Sequence, residues 1–144
     1  MSLTKKEWVL LALRATPLDR IHIMKTLFLV WHRSGRQLPG FFQFQPYLYG
    51  PCSFEVYSVL ESLGADGLVV QPPHPQPRWV NYYLTSVGRA AAEGAAQRAP
   101  AEQLELLQAV AAEVSRLGFH DLLRQVYGEA PDFAANSMFR GVVG

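Results

Sequence analysis

The segment Leu84-Thr85-Ser86-Val87-Gly88-Arg89 decides the fold, because it leads from a predicted β-hairpin straight into a helix rich in small residues. The hairpin strands are predicted over residues 68–71 and 79–84, where β-branched and aromatic side chains concentrate. The proline-rich segment 72–77 between them cannot continue a strand, since proline lacks a backbone donor. Thr85 can cap the following helix with its hydroxyl, and Gly88 lets that helix pack closely on its neighbours.

This order of strand, projecting loop, strand and helix is typical of a winged-helix domain. The exit from the hairpin also resembles the exit from the wing in MarR-type and PadR-type bacterial regulators, and that resemblance covers the hairpin exit alone. We therefore expect a mainly α-helical protein with a small β-hairpin, namely a winged helix-turn-helix with additional C-terminal helices. Residues 1–99 are expected to form the winged-helix domain, and residues 100–144 a helical extension packed on the same single domain.

The composition limits the classes of function. The chain has 144 residues, which suits one compact domain whose core needs no metal or disulfide. Hydrophobic residues make up 49% and charged residues only 17%, which indicates that part of the apolar surface contacts a partner. Thirteen Lys and Arg residues against twelve Asp and Glu give a net charge of +1. Because this charge supplies no general attraction to nucleic acid, a nucleic-acid site must be a local basic patch.

The cellular compartment is predicted from cysteine content and targeting signals. Cys52 is the single cysteine, so no disulfide can form within the chain, and the sequence is compatible with a reducing compartment. We find neither a signal-peptide pattern nor an uncharged apolar run approaching the roughly 20 residues of a membrane span. We therefore expect a cytoplasmic protein that does not bind a membrane.

Capping signals and apolar periodicity predict the helices. Thr4, Asp19 and Ser53 are expected to cap the first three helices, because their side chains can accept from free backbone N–H groups. Gly35 and Gly64 are expected to end the second and third helices in a left-handed conformation. With their caps, the predicted helices cover 4–15, 19–34, 53–64, 86–98, 100–117, 120–127 and 131–139. Between the second and third helices, the alternation at 42–45 predicts a short edge strand or an extended loop.

Three segments between the second helix and the hairpin stand out as a set. They are Met24-Lys25-Thr26-Leu27-Phe28-Leu29, Phe44-Gln45-Pro46-Tyr47-Leu48-Tyr49-Gly50-Pro51-Cys52-Ser53, and Val56-Tyr57 followed by Leu60 and Leu63. The set resembles a bacterial and archaeal group that is similar to the Panacea domain of SocA-type antitoxins and to stand-alone winged-helix proteins. The most specific part is the run from Tyr47 to Ser53. This resemblance implies a non-enzymatic, mainly helical domain that acts through protein or DNA contacts.

Tyr47 and Tyr49 have two interpretations. Both rings can pack against the side of the second helix while Gly50-Pro51 turns the chain, and packing alone would then explain the run. Alternatively, the two tyrosines form a contact surface for a protein partner, which requires their rings to be exposed.

For double-stranded DNA, the sequence offers a local set of basic and polar residues. The predicted phosphate contacts are Lys25, Arg33, Arg36 and Arg78, and the predicted base-facing residues are Ser58 and Ser62. Glu55 and Glu61 oppose this prediction, since they lie on the third helix, the element expected to enter the major groove, and would repel phosphate.

No catalytic residue, metal site or cofactor is predicted. The four histidines lack His-x-x-x-His spacing, and no Cys-x-x-Cys pair is present. Cys52 precedes a helix N-terminus, where the dipole favours a thiolate, but no His or Asp is tied to it by sequence. A hydrolase or nuclease is therefore set aside unless the pKa of Cys52 proves unusually low.

The apolar stripe Leu107, Val110, Val114 and Leu117 allows two kinds of association. It can dock on its own domain, or it can pair two chains, since it is too short for an independent coiled coil. The leading hypothesis is a non-enzymatic DNA-binding transcriptional regulator, acting as a homodimer. The alternative is a protein-interaction module or antitoxin-like adaptor that uses the winged fold without binding DNA.

Overall fold

The structure is a computed structural model that describes residues 2–138. It is mainly helical, with two short antiparallel hairpins and 3-10 turns at Pro77–Trp79 and Pro131–Ala134. The helices and strands are α1 (Lys5–Ala15), α2 (Arg20–Arg33), β1 (Gln45–Tyr47), β2 (Gly50–Cys52), α3 (Phe54–Ala65), β3 (Val69–Val70), β4 (Tyr83–Leu84), α4 (Ser86–Arg98), α5 (Ala101–Ser115) and α6 (Phe119–Glu129).

The first two helices begin and end where the sequence predicts. The Thr4 hydroxyl accepts from the backbone N–H of Glu7 at 3.1 Å, and the Glu7 carboxylate accepts from the backbone N–H of Thr4 at 2.9 Å. The Asp19 carboxylate caps α2 by accepting from the backbone N–H of His22 at 2.8 Å. Gly35 follows α2 with a φ of +73°, which confirms the left-handed terminator.

The third helix begins after Ser53 as predicted, but its capping contact and its end differ from the prediction. The Ser53 side chain makes no capping hydrogen bond, and the backbone N–H of Ser53 points instead toward the Met24 sulfur at 3.3 Å. Gly64 lies inside α3, which continues to Ala65, and the left-handed residue is Gly67 at a φ of +75°. Ser53 therefore precedes the helix without capping it, and its backbone makes a buried contact with α2 instead.

The later helices agree with the prediction more closely. Helix α4 has the predicted bounds, while α5 is shorter than predicted and α6 is longer. The helix predicted at 131–139 is wrong over its described part, where only the 3-10 turn Pro131–Ala134 forms. Its last residue lies outside the described residues.

Of the two alternatives predicted at 42–45, the extended loop is the one that forms, and strand pairing begins only at Gln45. The first hairpin pairs β1 with β2, with Gln45 opposite Cys52 and Tyr47 opposite Gly50. Phe42 precedes it and is buried, because the chain turns its aromatic side chains into the core before pairing begins. From 42 to 45 the side chains alternate between buried or half-buried phenylalanines and exposed glutamines, so the alternating pattern does not require a strand at 42–44.

The second hairpin is shorter than predicted, and a residue from outside the hairpin pairs with it. Val69 pairs with Leu84, and Trp79 lies in a 3-10 turn, because prolines flank the segment and restrict strand pairing. Leu18, between α1 and α2, forms an antiparallel bridge with Tyr82, whose backbone N–H donates to the Leu18 carbonyl at 2.8 Å. The chain entering α2 therefore lies beside the strand that leads into α4.

The core is built around α1 and α2, and α5 packs against both of these helices. The predicted apolar stripe faces inward: Leu107, Val110 and Val114 are buried within their own chain, and Leu117 is partly buried. Burial in the single chain supports the docking interpretation of the stripe. Across residues 2–138 no helix has both the length and the apolar character that crossing a membrane requires.

Candidate functional site

A cleft of about 220 Å³ opens where the start of α2, the β1–β2 hairpin, the start of α3 and the loop between β3 and β4 meet. Three kinds of side chain line it: cationic, tyrosine and other apolar. The lining residues are Arg20, Ile21, Lys25, Tyr47, Leu48, Tyr49, Gly50, Cys52, Phe54, Tyr57 and Arg78. It lies in the region where the sequence predicted both partner and phosphate contacts.

Lys25 is the most buried cation of the cleft. It lies on α2 with only 3% of its surface exposed, and its Nζ donates to the carbonyl oxygen of Pro51 at 3.2 Å. Burial lowers the pKa of Lys25 to about 8, and the electrostatic influence of Cys52 and Asp19 opposes this only in part. The amine is therefore still mostly protonated at neutral pH, and it has no carboxylate as a direct partner among the described residues.

Arg20 and Arg78 are the two other cations of the cleft. The Arg20 guanidinium lies 5.3 Å from the centre of the Tyr57 ring, and its Nε is buried without a hydrogen-bond partner in the described part of the chain. Arg78 donates from Nη1 to the Tyr49 hydroxyl at 2.9 Å and lies over that ring. Stacking on tyrosine fixes both guanidinium groups and leaves their charge unneutralised.

Several exposed apolar side chains line the cleft or lie next to its lining residues, and we call them the apolar rim. They are Tyr47, Leu48, Phe54, Trp79 and Met138. Tyr47 and Phe54 pack edge to face at 5.2 Å, and the backbone N–H of Met138 donates to the Leu48 carbonyl at 3.1 Å. Trp79 follows Arg78 directly. Of the eight large hydrophobic side chains that the described residues expose, five belong to this rim.

The two tyrosines singled out in the sequence therefore differ. Tyr47 is 44% exposed on the rim, whereas Tyr49 is half-buried and packs edge to face on Phe119 at 5.5 Å. The strand β2 packs against α2, and all three of its residues are buried. Tyr47 has the exposure that a contact residue needs, and Tyr49 also helps to hold Arg78.

The predicted phosphate contacts Arg33 and Arg36 lie outside the cleft and are already ion-paired. Arg33 contacts the carboxylates of Glu113 at 2.8 Å and Glu129 at 2.6 Å. Arg36 holds Asp132 through two hydrogen bonds of 3.0 and 3.2 Å. These contacts attach the end of α2 to the C-terminal helices, so a phosphate there would have to displace a carboxylate.

The other predicted DNA contacts on α2 and α3 differ in their exposure to solvent. Lys25 is buried, which corrects its prediction as a surface phosphate contact, because a duplex backbone cannot reach the floor of the cleft. Ser58 is exposed and Ser62 is half-buried on α3. Of the two acidic residues that oppose DNA binding, Glu55 pairs with Lys5 of α1 at 2.8 Å, whereas Glu61 is exposed and has no ion pair within residues 2–138.

Sequence reasoning missed Arg20, Phe54, Tyr57 and Trp79. One signal was available for Arg20: it is the first residue of α2, where the helix dipole disfavours a cation and no acidic residue follows in the first turn. The other three are ordinary apolar residues in sequence, and their role depends on how the first hairpin lies against α3.

Cys52 is unsuited to act as a nucleophile. It is buried, and burial raises the pKa of its thiol, although Lys25 and a contact with Tyr57 oppose that rise. A nucleophilic cysteine needs the opposite shift. Within residues 2–138 no three His, Cys, Asp or Glu residues come together as a metal site would require.

No protein-family model, no curated protein and no solved structure matches this chain. The resemblances to MarR-type and PadR-type regulators and to the antitoxin-like group therefore stay predictions.

Proposed function

We propose that this chain is a non-enzymatic regulatory domain of the winged-helix type that recognises a protein partner through the cleft and its apolar rim. One observation carries the proposal: of the eight exposed large hydrophobic side chains in the described residues, three line one cleft, and a fourth, Trp79, lines the adjoining pocket that shares Arg20 and Arg78 with it. Clustering of this kind marks interaction surfaces, whereas isolated exposed side chains need no explanation. The aromatic content of the rim is also typical of residues that dominate binding energy.

The winged-helix assignment is supported by the order of elements. The order along the chain is α1, the bridging residue Leu18, α2, α3, β3 and β4, apart from the first hairpin between α2 and α3. Leu18 extends the second hairpin by pairing with Tyr82. One feature departs from a simple helix-turn-helix, because residues 34–53 and the first hairpin separate α2 from α3 where a turn of about 3–4 residues is usual. This inserted hairpin forms one wall of the cleft.

Photo-crosslinking tests the proposal. Leu48, which is 48% exposed on the rim, is replaced by p-benzoylphenylalanine in cells of the source organism, and the adduct is identified by mass spectrometry. Val87, which is 61% exposed on α4 and does not line the cleft, is replaced in the same way as a matched control. We expect a defined partner adduct from position 48 only, and its loss when Phe54→Ser is added. Equal adducts from both positions would contradict the proposal.

DNA binding is the second candidate. The observation that favours it is that Arg20 and Arg78 lie beside α3 without a carboxylate partner in the described residues. Fluorescence anisotropy on mixed-sequence duplex DNA at low and physiological salt tests it. A DNA-binding domain would lose affinity steeply with salt, and Arg78→Ala would lower the slope by about one. Arg33→Ala would leave the slope unchanged, because two carboxylates already neutralise Arg33.

A further inference from the structure

The cleft concentrates positive charge that none of its lining residues neutralises. Arg20, Lys25 and Arg78 are its only charged lining residues, and within residues 2–138 no Asp or Glu lines it. We propose that the cleft receives the carboxylate of an aspartate or glutamate side chain presented by the protein partner. This inference rests on the proposed function, and it names the chemical group that the partner must carry.

The floor of the cleft gives the first reason. The Lys25 ammonium has three N–H donors, and its one hydrogen bond goes to the Pro51 carbonyl. A buried ammonium without a countercharge is costly, because burial removes its hydration. Asp19 favours the charged form of Lys25 electrostatically but forms no ion pair with it, and its Oδ1 accepts from the backbone and the imidazole of His22, both at 2.8 Å. A carboxylate entering the cleft would supply the missing acceptor and the missing charge.

The wall of the cleft gives a second, independent reason. The Nε of Arg20 is buried and has no acceptor in the described residues. A buried N–H donor without a partner is uncommon in folded proteins, and Arg20 as a whole is half-buried and has no carboxylate partner within residues 2–138, so the rest of its guanidinium can bind an acceptor supplied from outside. A guanidinium group such as that of Arg20 or Arg78 binds a carboxylate through two parallel N–H donors in one plane. A hydroxyl or amide ligand has only one oxygen and cannot accept from both donors in this way.

The size of the cleft and its rim favour a protein side chain over a larger ligand. Its volume of about 220 Å³ lies below the roughly 300–1,000 Å³ that is usual for small-molecule sites. Around the opening, Tyr47, Leu48 and Phe54 are about half exposed and can cover apolar residues on either side of the acidic one. The fitting occupant is therefore an extended segment with one acidic residue between apolar neighbours.

The ionisation of Lys25 provides a direct readout. The titratable or charged groups that influence it or share its cleft are Asp19, Arg20, His22, Tyr47, Tyr49, Cys52, Tyr57 and Arg78. Burial raises the pKa of Tyr57 to about 12, so this hydroxyl stays neutral over the range of interest. The chain has only three lysines, Lys5, Lys6 and Lys25, so the Cε–H signals of labelled lysine can be followed one by one.

The first experiment titrates the intact protein, labelled with [13C]lysine, with two small probes at pH 8.5. N-acetylglutamate methylamide carries the proposed carboxylate, and N-acetylglutamine methylamide is its neutral match. We expect the acidic probe to shift the Lys25 signal saturably and to raise the pKa of Lys25, with Lys5 and Lys6 unchanged. An equal shift from the neutral probe, or no Lys25 shift from either probe, would overturn the inference.

Two variants connect the readout to the cleft. Arg20→Gln and Arg78→Gln are each expected to weaken binding of the acidic probe about tenfold, as the loss of one charge-assisted hydrogen bond requires. Arg124→Gln removes an exposed arginine of α6 outside the cleft and is expected to bind like the wild type. Circular dichroism checks that each variant is folded. Unchanged affinity in both cleft variants would overturn the inference, as would inorganic phosphate binding more tightly than the carboxylate.

The two proposals can fail separately. If the probe binds at Lys25 but crosslinking from position 48 yields no partner, the partner-binding function fails and the carboxylate comes from a free small molecule. If a partner is captured and Arg20→Gln and Arg78→Gln capture it equally well, the carboxylate subsite is wrong and the rim alone binds. If mutating one acidic residue in the captured partner abolishes capture, the inference is supported.

Discussion

Gly88 lies where α4 leaves the second hairpin, and a side chain at this position has no room. A Cβ atom there would lie 1.8 Å from the carbonyl oxygen of Leu68. That carbonyl accepts from the backbone of Thr85, so it cannot move without breaking the junction of hairpin and helix. We expect Gly88→Ala to lower the free energy of unfolding by about 3 kcal/mol, as overpacking does, measured by urea denaturation.

Gly94 on the same helix is the matched control. Its added Cβ would meet only the end of the Arg98 side chain at 3.5 Å. Because alanine favours helices, Gly94→Ala is expected to stabilise the protein by about 0.5–1 kcal/mol. Equal effects of the two substitutions would show that the close approach at Gly88 does not exist.

A single residue, His22, also makes the stability of the protein depend on pH. Burial alone would lower the pKa of His22, but hydrogen bonds to Asp19 and to the Leu117 carbonyl outweigh it and leave the pKa raised. Stability from this group is therefore complete below about pH 6.5, the ordinary histidine value, and is lost as pH rises through the raised folded pKa. We expect the urea midpoint to fall as pH rises above about 6.5 in the wild type and in His74→Gln, but not in His22→Gln.

At the scale of elements, local signals predicted helices better than strands. Thr4, Asp19 and Thr85 each cap the helix that the sequence assigned to them, because a cap depends on residues within one turn. At 42–45 the sequence could not decide between a strand and the extended loop that forms, since burial of Phe42 depends on distant residues. The sequence indicated a turn of the chain at Gly50-Pro51, but it did not predict that β1 and β2 pair as a hairpin there.

The candidate site was predictable only in part, for the same reason. The run containing Tyr47 marked the correct region, and Arg78 was named, although for phosphate and not for a cleft. The burial of Lys25 could not be predicted, because it depends on β2 covering α2. Arg33 and Arg36 look like free cations in sequence, and their carboxylate partners lie far along the chain.

Arg33 illustrates how α2 is attached to the last helices. Its guanidinium lies between Glu113 of α5 and Glu129 of α6, and these carboxylates raise its pKa while it lowers theirs. Because the group is about a quarter exposed and forms a network, we expect Arg33→Ala to cost about 1–2 kcal/mol of unfolding free energy. Arg124→Ala, which breaks an exposed pair with Asp121, should cost less than about 0.5 kcal/mol. Urea denaturation at low and high salt checks both values.

For the whole molecule, the C-terminal helices complete the core and are not an appendage. Leu107, Val110 and Val114 of α5 are almost fully buried, and α5 packs against both α1 and α2. Each such side chain contributes about 1.5–3 kcal/mol on burial, so their joint loss is comparable to the whole stability of a domain of this size, about 5–15 kcal/mol. A fragment of residues 1–99 would also expose the faces of α1 and α2 that α5 covers.

We therefore expect the fragment 1–99 to be largely unfolded at 25 °C, with low helicity by circular dichroism and no cooperative urea transition. Adding a peptide of residues 100–138 should restore helicity, because it returns the missing side of the core. The same peptide with Leu107→Asp and Val114→Asp is the control and should restore none, since it cannot bury charge against α1 and α2. A cooperative transition in the fragment alone would instead mean that residues 1–99 form an independent domain, and that the partner-binding cleft is stable without the helices that hold Arg33 and Arg36.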